Sequence, residues 1–304
     1  RDNYNYGQSC TLQAIPNSDF MFINWTENGS QVSANADYTF TVTNNRTLEA
    51  NFIIVPSWPN GVLPNAFSVS ATEQVHFSQG NLQYRASTNT WRFADNQFDY
   101  IGSANSYISS SYSGWIDLFG WGTSGYSGGS TYYHPWDIQY YSGPYGPPGP
   151  YDLTGSYANA DWGVYNRISN GGNATNQWRT LTIQEWEYIF FNRVTASGIR
   201  YAKAKIGDKN GIIILPDDWS SSIYSLNSTN NCSASYSSNI LSYSQWFTLE
   251  IAGAVFLPAA GYRDVITIYD LGSHGDYWSA SSYSDSGISR SEERRVGKEG
   301  RSRW

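Results

Sequence analysis

The longest apolar runs in this chain are Gly211–Leu215 and Ile251–Leu257, far short of the ~20 residues that a membrane-crossing helix needs. Most other hydrophobic residues alternate with polar ones in short segments bounded by Pro, Gly, Asn and Ser, which is the pattern of short strands joined by turns. No transmembrane segment is expected, and 304 residues leave room for two domains. Charged residues make up only 14% of the chain against a usual share of about 25%, while aromatics reach 17%. With a formal net charge of -7 there is no general basic field, so nucleic acid is not an expected partner.

Cys10 and Cys232 are the only cysteines, too few for a disulfide framework or a Cys-rich zinc site. His76, His134 and His274 are far apart and lack metal-ligand spacing. No Gly-x-Ser-x-Gly, phosphate-binding loop or dinucleotide fingerprint occurs, so no cofactor is expected. Glu185 and Glu187 lie two apart on an expected helix and point to different faces, a poor arrangement for a glycosidase acid pair. Asp217-Asp218, after a strand and a Pro, reads as a solvated turn rather than a calcium site.

Residues 1–54 carry four alternating segments: Thr11–Ile15, Phe20–Trp25, Tyr38–Val42 and Thr47–Phe52. They predict a very small β-domain in which Trp25, Phe40 and Phe52 converge on one face. The stretches Leu12–Asn17, Phe22–Gly29, Tyr38–Val42 and Arg46–Phe52 resemble the divergent InlB B-repeat of bacterial surface proteins. That resemblance implies export, a stalk or spacer role and no catalytic residue.

A Pro/Gly/Asn-rich linker is expected over 55–66. Beyond it, strands are expected at Ala66–Ser70, Gln74–Ser78, Leu82–Arg85 and Thr90–Phe93, followed by a long Gly/Ser/Tyr/Trp/Pro region from Asp99 to Tyr165. Thr182-Ile-Gln-Glu is a capping box that opens a helix running to about Arg193, and Ser242-Tyr-Ser-Gln opens a shorter one stopped by Gly253. Further strands are expected at Ile199–Ala204, Gly211–Leu215, Ala254–Leu257 and Asp276–Ala280. Two helices among many short strands predict an α+β fold.

The segments Trp178–Trp186, Ile213–Trp219, Phe256–Asp264 and Gly275–Ser281 resemble the Fibrobacter succinogenes major paralogous domain over roughly residues 67–289. The resemblance implies a secreted bacterial module with a C-type-lectin-like fold, having two helices, short strands and a long loop region. That fold is similar also to formylglycine-generating enzymes, but their chemistry needs a close pair of cysteines and is not expected here, because Cys232 stands alone in this stretch.

The ring-rich loops are the expected recognition surface, since rigid aromatic side chains bury much area at low entropic cost. Tyr132, Tyr133, His134, Tyr262, Arg263, Asp264, Asp270, His274 and Tyr277 are the candidate ligand contacts, while Trp121, Trp136 and Trp278 are expected in the core. The chain reads as a non-catalytic binding or adhesion module of the cell exterior, recognising a glycan or a surface protein. A carbohydrate-active hydrolase and a diversified variable receptor are the alternatives.

No signal peptide is expected at the start, which reads like the middle of a longer chain. The last fifteen residues, from Arg290, hold six basic and three acidic side chains, whereas the preceding 289 hold 12 and 22. This tail resembles an in-frame translation of a sequencing adaptor, departing from it at Gly300, and no function is expected of it.

Overall fold

The computed structural model describes residues 3–17, 19–120, 123–126, 134–136 and 153–281, together with the backbone of 301–303. The fold is mixed, with many strands in small sheets and few helices. The chain divides into two compact units, one of residues 1–57 with 243–247 and one of residues 58–242 with 248–304.

The first unit contains β1 (Ser9–Gln13), β2 (Phe20–Glu27), β3 (Ser30–Ser33), β4 (Asp37–Thr41) and β5 (Glu49–Ile54). Strand β2 lies between β3 and β5, and β1 pairs separately with β4. Phe22 meets Phe52 edge-on at 5.8 Å and Trp25 at 5.9 Å, and the Trp25 indole donates to the Ala36 carbonyl. Phe40 does not join this cluster as the alternation predicts. It packs against Tyr38 on the β1–β4 ribbon, 4.6 Å beneath the Arg46 guanidinium that grips Glu27. Strand β3 is invisible to a hydrophobic pattern because Ser-Gln-Val-Ser is polar. What forms it is Asn28-Gly29, both left-handed, which suits a tight hairpin turn.

Next come β6 (Val62–Ser68), β7 (Gln74–Ser78), β8 (Leu82–Arg85) and β9 (Thr90–Phe93), forming two antiparallel ribbons. Strand β6 starts before the expected Ala66 because Leu63 is already fully buried. The single turn α1 (Trp162–Tyr165) is capped by Asp161, which accepts from the Gly163 N–H. Then α2 (Ile183–Glu187) opens with the expected capping box: Glu185 N–H donates to Thr182 Oγ1, and Thr182 N–H donates to Glu185 Oε2.

The helix does not continue regularly to Arg193. Residues Tyr188–Asn192 form a wide π turn, closed by the bond from Arg193 N–H to Tyr188 O, and Arg193 leaves it in an extended conformation.

The remaining elements are β10 (Tyr201–Ile206), β11 (Lys209–Ile214), β12 (Ile240–Leu241), α3 (Tyr243–Ile251), β13 (Val255–Pro258), β14 (Tyr262–Asp264), β15 (Thr267–Tyr269), β16 (Asp276–Trp278) and β17 (Arg301–Arg303). Four of them make the largest sheet, in the order β12-β10-β11-β13. A two-residue loop, Gly207-Asp208, joins β10 to β11, with Gly207 at φ 57°. At Gly211 a Cβ would lie 2.5 Å from the Leu257 carbonyl and closer still to the Phe256 ring, so the position admits only hydrogen. Strand β17 pairs antiparallel with β16.

Among the described residues beyond Ser57 are two hydrophobic cores. One gathers Phe67, Trp186, Ile189, Phe190, Ile212 and Val255 over the large sheet. The other is aromatic, built on Tyr84, Trp91, Phe93, Phe119 and Trp162. Buried at the first core, Arg193 is 1% exposed and donates to Asp217 Oδ1 at 3.0 Å and to the Arg200 carbonyl at 3.3 Å. Asp217 Oδ2 accepts from the N–H and hydroxyl of Ser68. The expected solvated turn is therefore half correct: Asp218 is exposed, but Asp217 is engaged in a largely buried ion pair.

Removing one partner of such a pair strands the other charge. Asp217→Asn is expected to destabilise the fold by about 3–5 kcal/mol in urea unfolding, while Asp218→Asn stays within about 0.5 kcal/mol.

Candidate ligand-binding cleft

Between the two cores runs a cleft of about 970 Å³, lined entirely by residues that follow Ser57. Its floor is apolar: Phe93, Phe119, Trp162 and Ile168 come from the aromatic core, Trp186 and Val255 from the other. Its rim is polar, with exposed Asn159, Asn176, Gln177 and Arg179. Apolar walls with a few converging polar groups are the usual make-up of a small-ligand site.

The rings are held from behind by their polar atoms. Trp178 Nε1 donates to the Gly171 carbonyl at 2.8 Å, Trp278 Nε1 to Phe119 O at 2.8 Å, and Trp186 Nε1 to Trp278 O at 3.3 Å. Trp178 also meets Phe93 edge-on at 4.7 Å. These bonds fix each indole plane, so the wall needs little rearrangement to receive a flat ligand face.

Three further polar groups line it, Tyr277 and Asp117 half-buried and His76 exposed. Tyr277 places its hydroxyl 3.2 Å from Asn81 Oδ1 and 3.1 Å from the Pro258 carbonyl, and burial raises its pKa well above the ordinary phenol value. His76 Nδ1 lies 2.9 Å from Leu63 O; because a carbonyl only accepts, Nδ1 carries the proton. Asp117 accepts from the Asn105 amide and the Ile101 N–H, both at 2.8 Å. Burial is the stronger influence on Asp117 and lifts its pKa to about 6, against the pull of those hydrogen bonds.

Asp161 also borders the cleft, with Oδ1 accepting from Gly163 N–H and Oδ2 from Thr180 N–H; burial raises its pKa too. Glu185 behaves differently. Burial opposes its charge most strongly, but the Arg179 guanidinium and the Thr182 N–H together hold its pKa below the usual carboxylate value. It serves as the helix cap, as its position in the sequence implies.

Of the nine sequence-predicted contacts, Tyr277 lines this cleft. Tyr262, Arg263, Asp264, Asp270 and His274 gather elsewhere, on and after the β14–β15 hairpin. Tyr262 stacks on Tyr269 across the strands at 5.3 Å. Asp270 Oδ2 approaches His274 Nδ1 to 3.8 Å, both partly exposed. Arg263 is not at the surface as its polar context suggests. It is 3% exposed and donates to the Pro135 carbonyl at 3.0 Å, which brings the segment of His134 to the hairpin.

His134 stacks on Trp136 at 4.2 Å, and Trp136 and Trp278 are partly buried against the aromatic core. Tyr132, Tyr133 and Trp121 lie outside the described residues. Sequence reasoning singled out neither Trp162, Asn81 nor Asp117 for this site. The signal was available for Phe93, because alternation in β8 and β9 turns Leu82 and Phe93 to one face.

Residues 1–56 match the family model of the divergent InlB B-repeat domain, a module consistent with bacterial surface proteins. No curated protein and no solved structure matches the chain.

Because an unfolded aspartate titrates near 3.8 and Asp117 near 6, the folded state holds the proton more tightly between those values, and stability falls as pH rises through the window. Between pH 4.5 and pH 7 the wild type is expected to lose on the order of 1 kcal/mol relative to Asp117→Asn, measured by urea unfolding.

Proposed function

We propose that this chain is part of a bacterial cell-surface or secreted protein whose B-repeat module serves as a spacer. The region from 67 to 289, similar to the Fibrobacter succinogenes major paralogous domain and through it to C-type-lectin-like folds, is a non-catalytic binding module. It takes a glycan in the aromatic cleft. Residues 290–304, read as adaptor-derived, have no part in this function.

One observation carries the reading: the indoles of Trp178, Trp186 and Trp278 line an open cleft with their N–H groups already donated to backbone carbonyls, while neutral amides stand at the rim. Sugars present an apolar face to stack on such rings and hydroxyls for amides to bind, and preset rings receive them without further ordering cost. A protein surface is the other partner considered for the ring-rich loops, but a concave groove fits a chain of sugar rings better than a flat epitope.

The hydrolase alternative needs two carboxylates facing across the cleft with freedom to exchange protons. Asp117 and Asp161 instead have both oxygens engaged by hydrogen bonds that hold the backbone or a neighbouring amide in place. This arrangement favours binding without turnover. The β14–β15 hairpin, with Tyr262, Asp264, Asp270 and His274, remains the place where a diversified receptor would vary.

A glycan-array screen of the 304-residue chain, run with and without calcium, is expected to give saturable binding with no cleavage of the bound sugar. Trp178→Ala, checked for an unchanged thermal melt, is expected to weaken the best hit about 30-fold, the loss of roughly 2 kcal/mol typical of an aromatic hot spot. Reducing-sugar release during the assay counts against the proposal.

A further inference from the structure

The β8–β9 hairpin that supplies the cleft with Leu82 and Phe93 carries a second, different surface on its other face. Cross-strand register pairs Gln83 with Arg92 and Arg85 with Thr90, so the polar residues share the side opposite the aromatic core. The two guanidinium groups converge there on one ring: the Arg85 carbon lies 4.2 Å from the Trp115 centroid and the Arg92 carbon 4.3 Å. They are therefore within about twice that distance of each other. Trp115 is brought to the hairpin by the bridge between Tyr84 and Ile116.

We propose that Arg85, Trp115 and Arg92 form a subsite for an anionic sugar, one bearing a carboxylate or a sulfate ester. Three observations lead there. First, the positive charge is poorly neutralised. Among the described residues Arg85 has no ion pair and its buried Nε has no acceptor, while the one carboxylate that Arg92 meets is the exposed Asp95, at 3.4 Å. Two such arginines on one ring stand out in a chain whose formal net charge is -7.

Second, the geometry is preset. Arg92 Nε donates to Gln83 Oε1 at 2.9 Å, and Gln83 is itself 2% exposed. Stacking on an indole uses the flat face of a guanidinium and leaves its in-plane N–H groups for an oxyanion. Third, all three side chains are partly exposed, so an anion can reach them. The subsite does not depend on the cleft reading, since it uses the opposite face of the hairpin.

The test measures binding of trigalacturonate and of a heparin-derived tetrasaccharide to the full chain, with neutral maltotetraose as control, at 50 and 300 mM NaCl. One acidic ligand is expected to bind, more weakly at high salt, and which of the two binds separates carboxylate from sulfate recognition. Arg85→Gln with Arg92→Gln is expected to weaken that binding about tenfold or more, as loss of charge-assisted contacts requires. Arg167→Gln with Lys205→Gln removes two charges elsewhere and is expected to leave it within twofold.

The Arg85 and Arg92 Nε–H signals, assigned by the single variants, are expected to shift on titration. Where the double variant melts early, Arg92→Gln alone is read in its place. Absence of binding to either acidic ligand, equal losses in the two double variants, or unmoved Nε–H signals would each overturn the proposal and leave the cluster a purely structural stack.

Discussion

The Arg193 side chain is shut off from solvent, so the fold around it must answer for one buried positive charge. A bare guanidinium there would cost several kcal/mol. The protein meets this with Asp217, whose second oxygen is in turn taken by Ser68 and approached by Gln74. The other guanidinium nitrogen reaches the Arg200 carbonyl, and its carbon lies 5.1 Å from the Phe67 ring centre. Four points of the chain are thereby tied together: the end of β6, the exit of the π turn, the approach to β10 and the exit from β11. An apolar quartet of equal volume could be as stable, but it would fix position less sharply, since the bonds from the two terminal guanidinium nitrogens need one arrangement, even though the buried Arg193 Nε has no acceptor among the described residues. The π turn belongs to the same constraint. Widening the helix after Glu187 releases Arg193 into an extended conformation at the point where the ion pair lies.

With that wall anchored, the cleft depends on how the second core is made. Aliphatic side chains dominate beside the large sheet, whereas rings dominate beside β8 and β9. An indole buried with its N–H unmet would lose a hydrogen bond's worth of free energy, about 1–3 kcal/mol. At Trp178, Trp186 and Trp278 the N–H donates to a carbonyl, and Trp162 has Thr123 Oγ1 at 3.4 Å. Once so bonded, a ring cannot rotate without breaking its bond. The ordering cost has been met during folding, and what remains at the cleft is a rigid apolar surface edged by amides. Asp117 and Tyr277 show the same economy of polar groups: each is half-buried as a residue, displaced in pKa by desolvation of its polar end, and held by named partners.

Much of this was legible where chemistry is local. The capping box at Thr182, the strands β7, β8 and β9, and the turn at Asn28-Gly29 depend on residues within a few positions of each other, and pattern reasoning reaches them. Elements with polar sequences were missed: β3 is Ser-Gln-Val-Ser, and β14 and β15 carry charge and Thr among their rings. The candidate site was legible only in kind. Aromatic density in the loops pointed to recognition through rings, but the rings that line the cleft come from segments 93, 119, 162, 178 and 278, brought together by long-range packing that no local window records. Arg263 illustrates the same limit. Its neighbours are polar, yet the Pro135 carbonyl and the hairpin bury it.

The β8–β9 hairpin joins these strands of argument. Its inward residues, Leu82, Tyr84, Trp91 and Phe93, feed the aromatic core, and on its other face Arg85 and Arg92 meet Trp115 while Gln83 accepts from Arg92. In a ribbon with period two, a slip of one residue exchanges the faces. Such a slip would drive two guanidinium groups into a core of rings and expose Trp91 and Phe93, losing apolar burial worth roughly 1.5–3 kcal/mol for each large side chain and burying unpaired charge as well. The register is therefore set by the two faces together, not by either alone. The same alternation that makes one side a wall of the cleft makes the other side cationic, so a single ribbon can present two chemistries to a ligand that reaches around it.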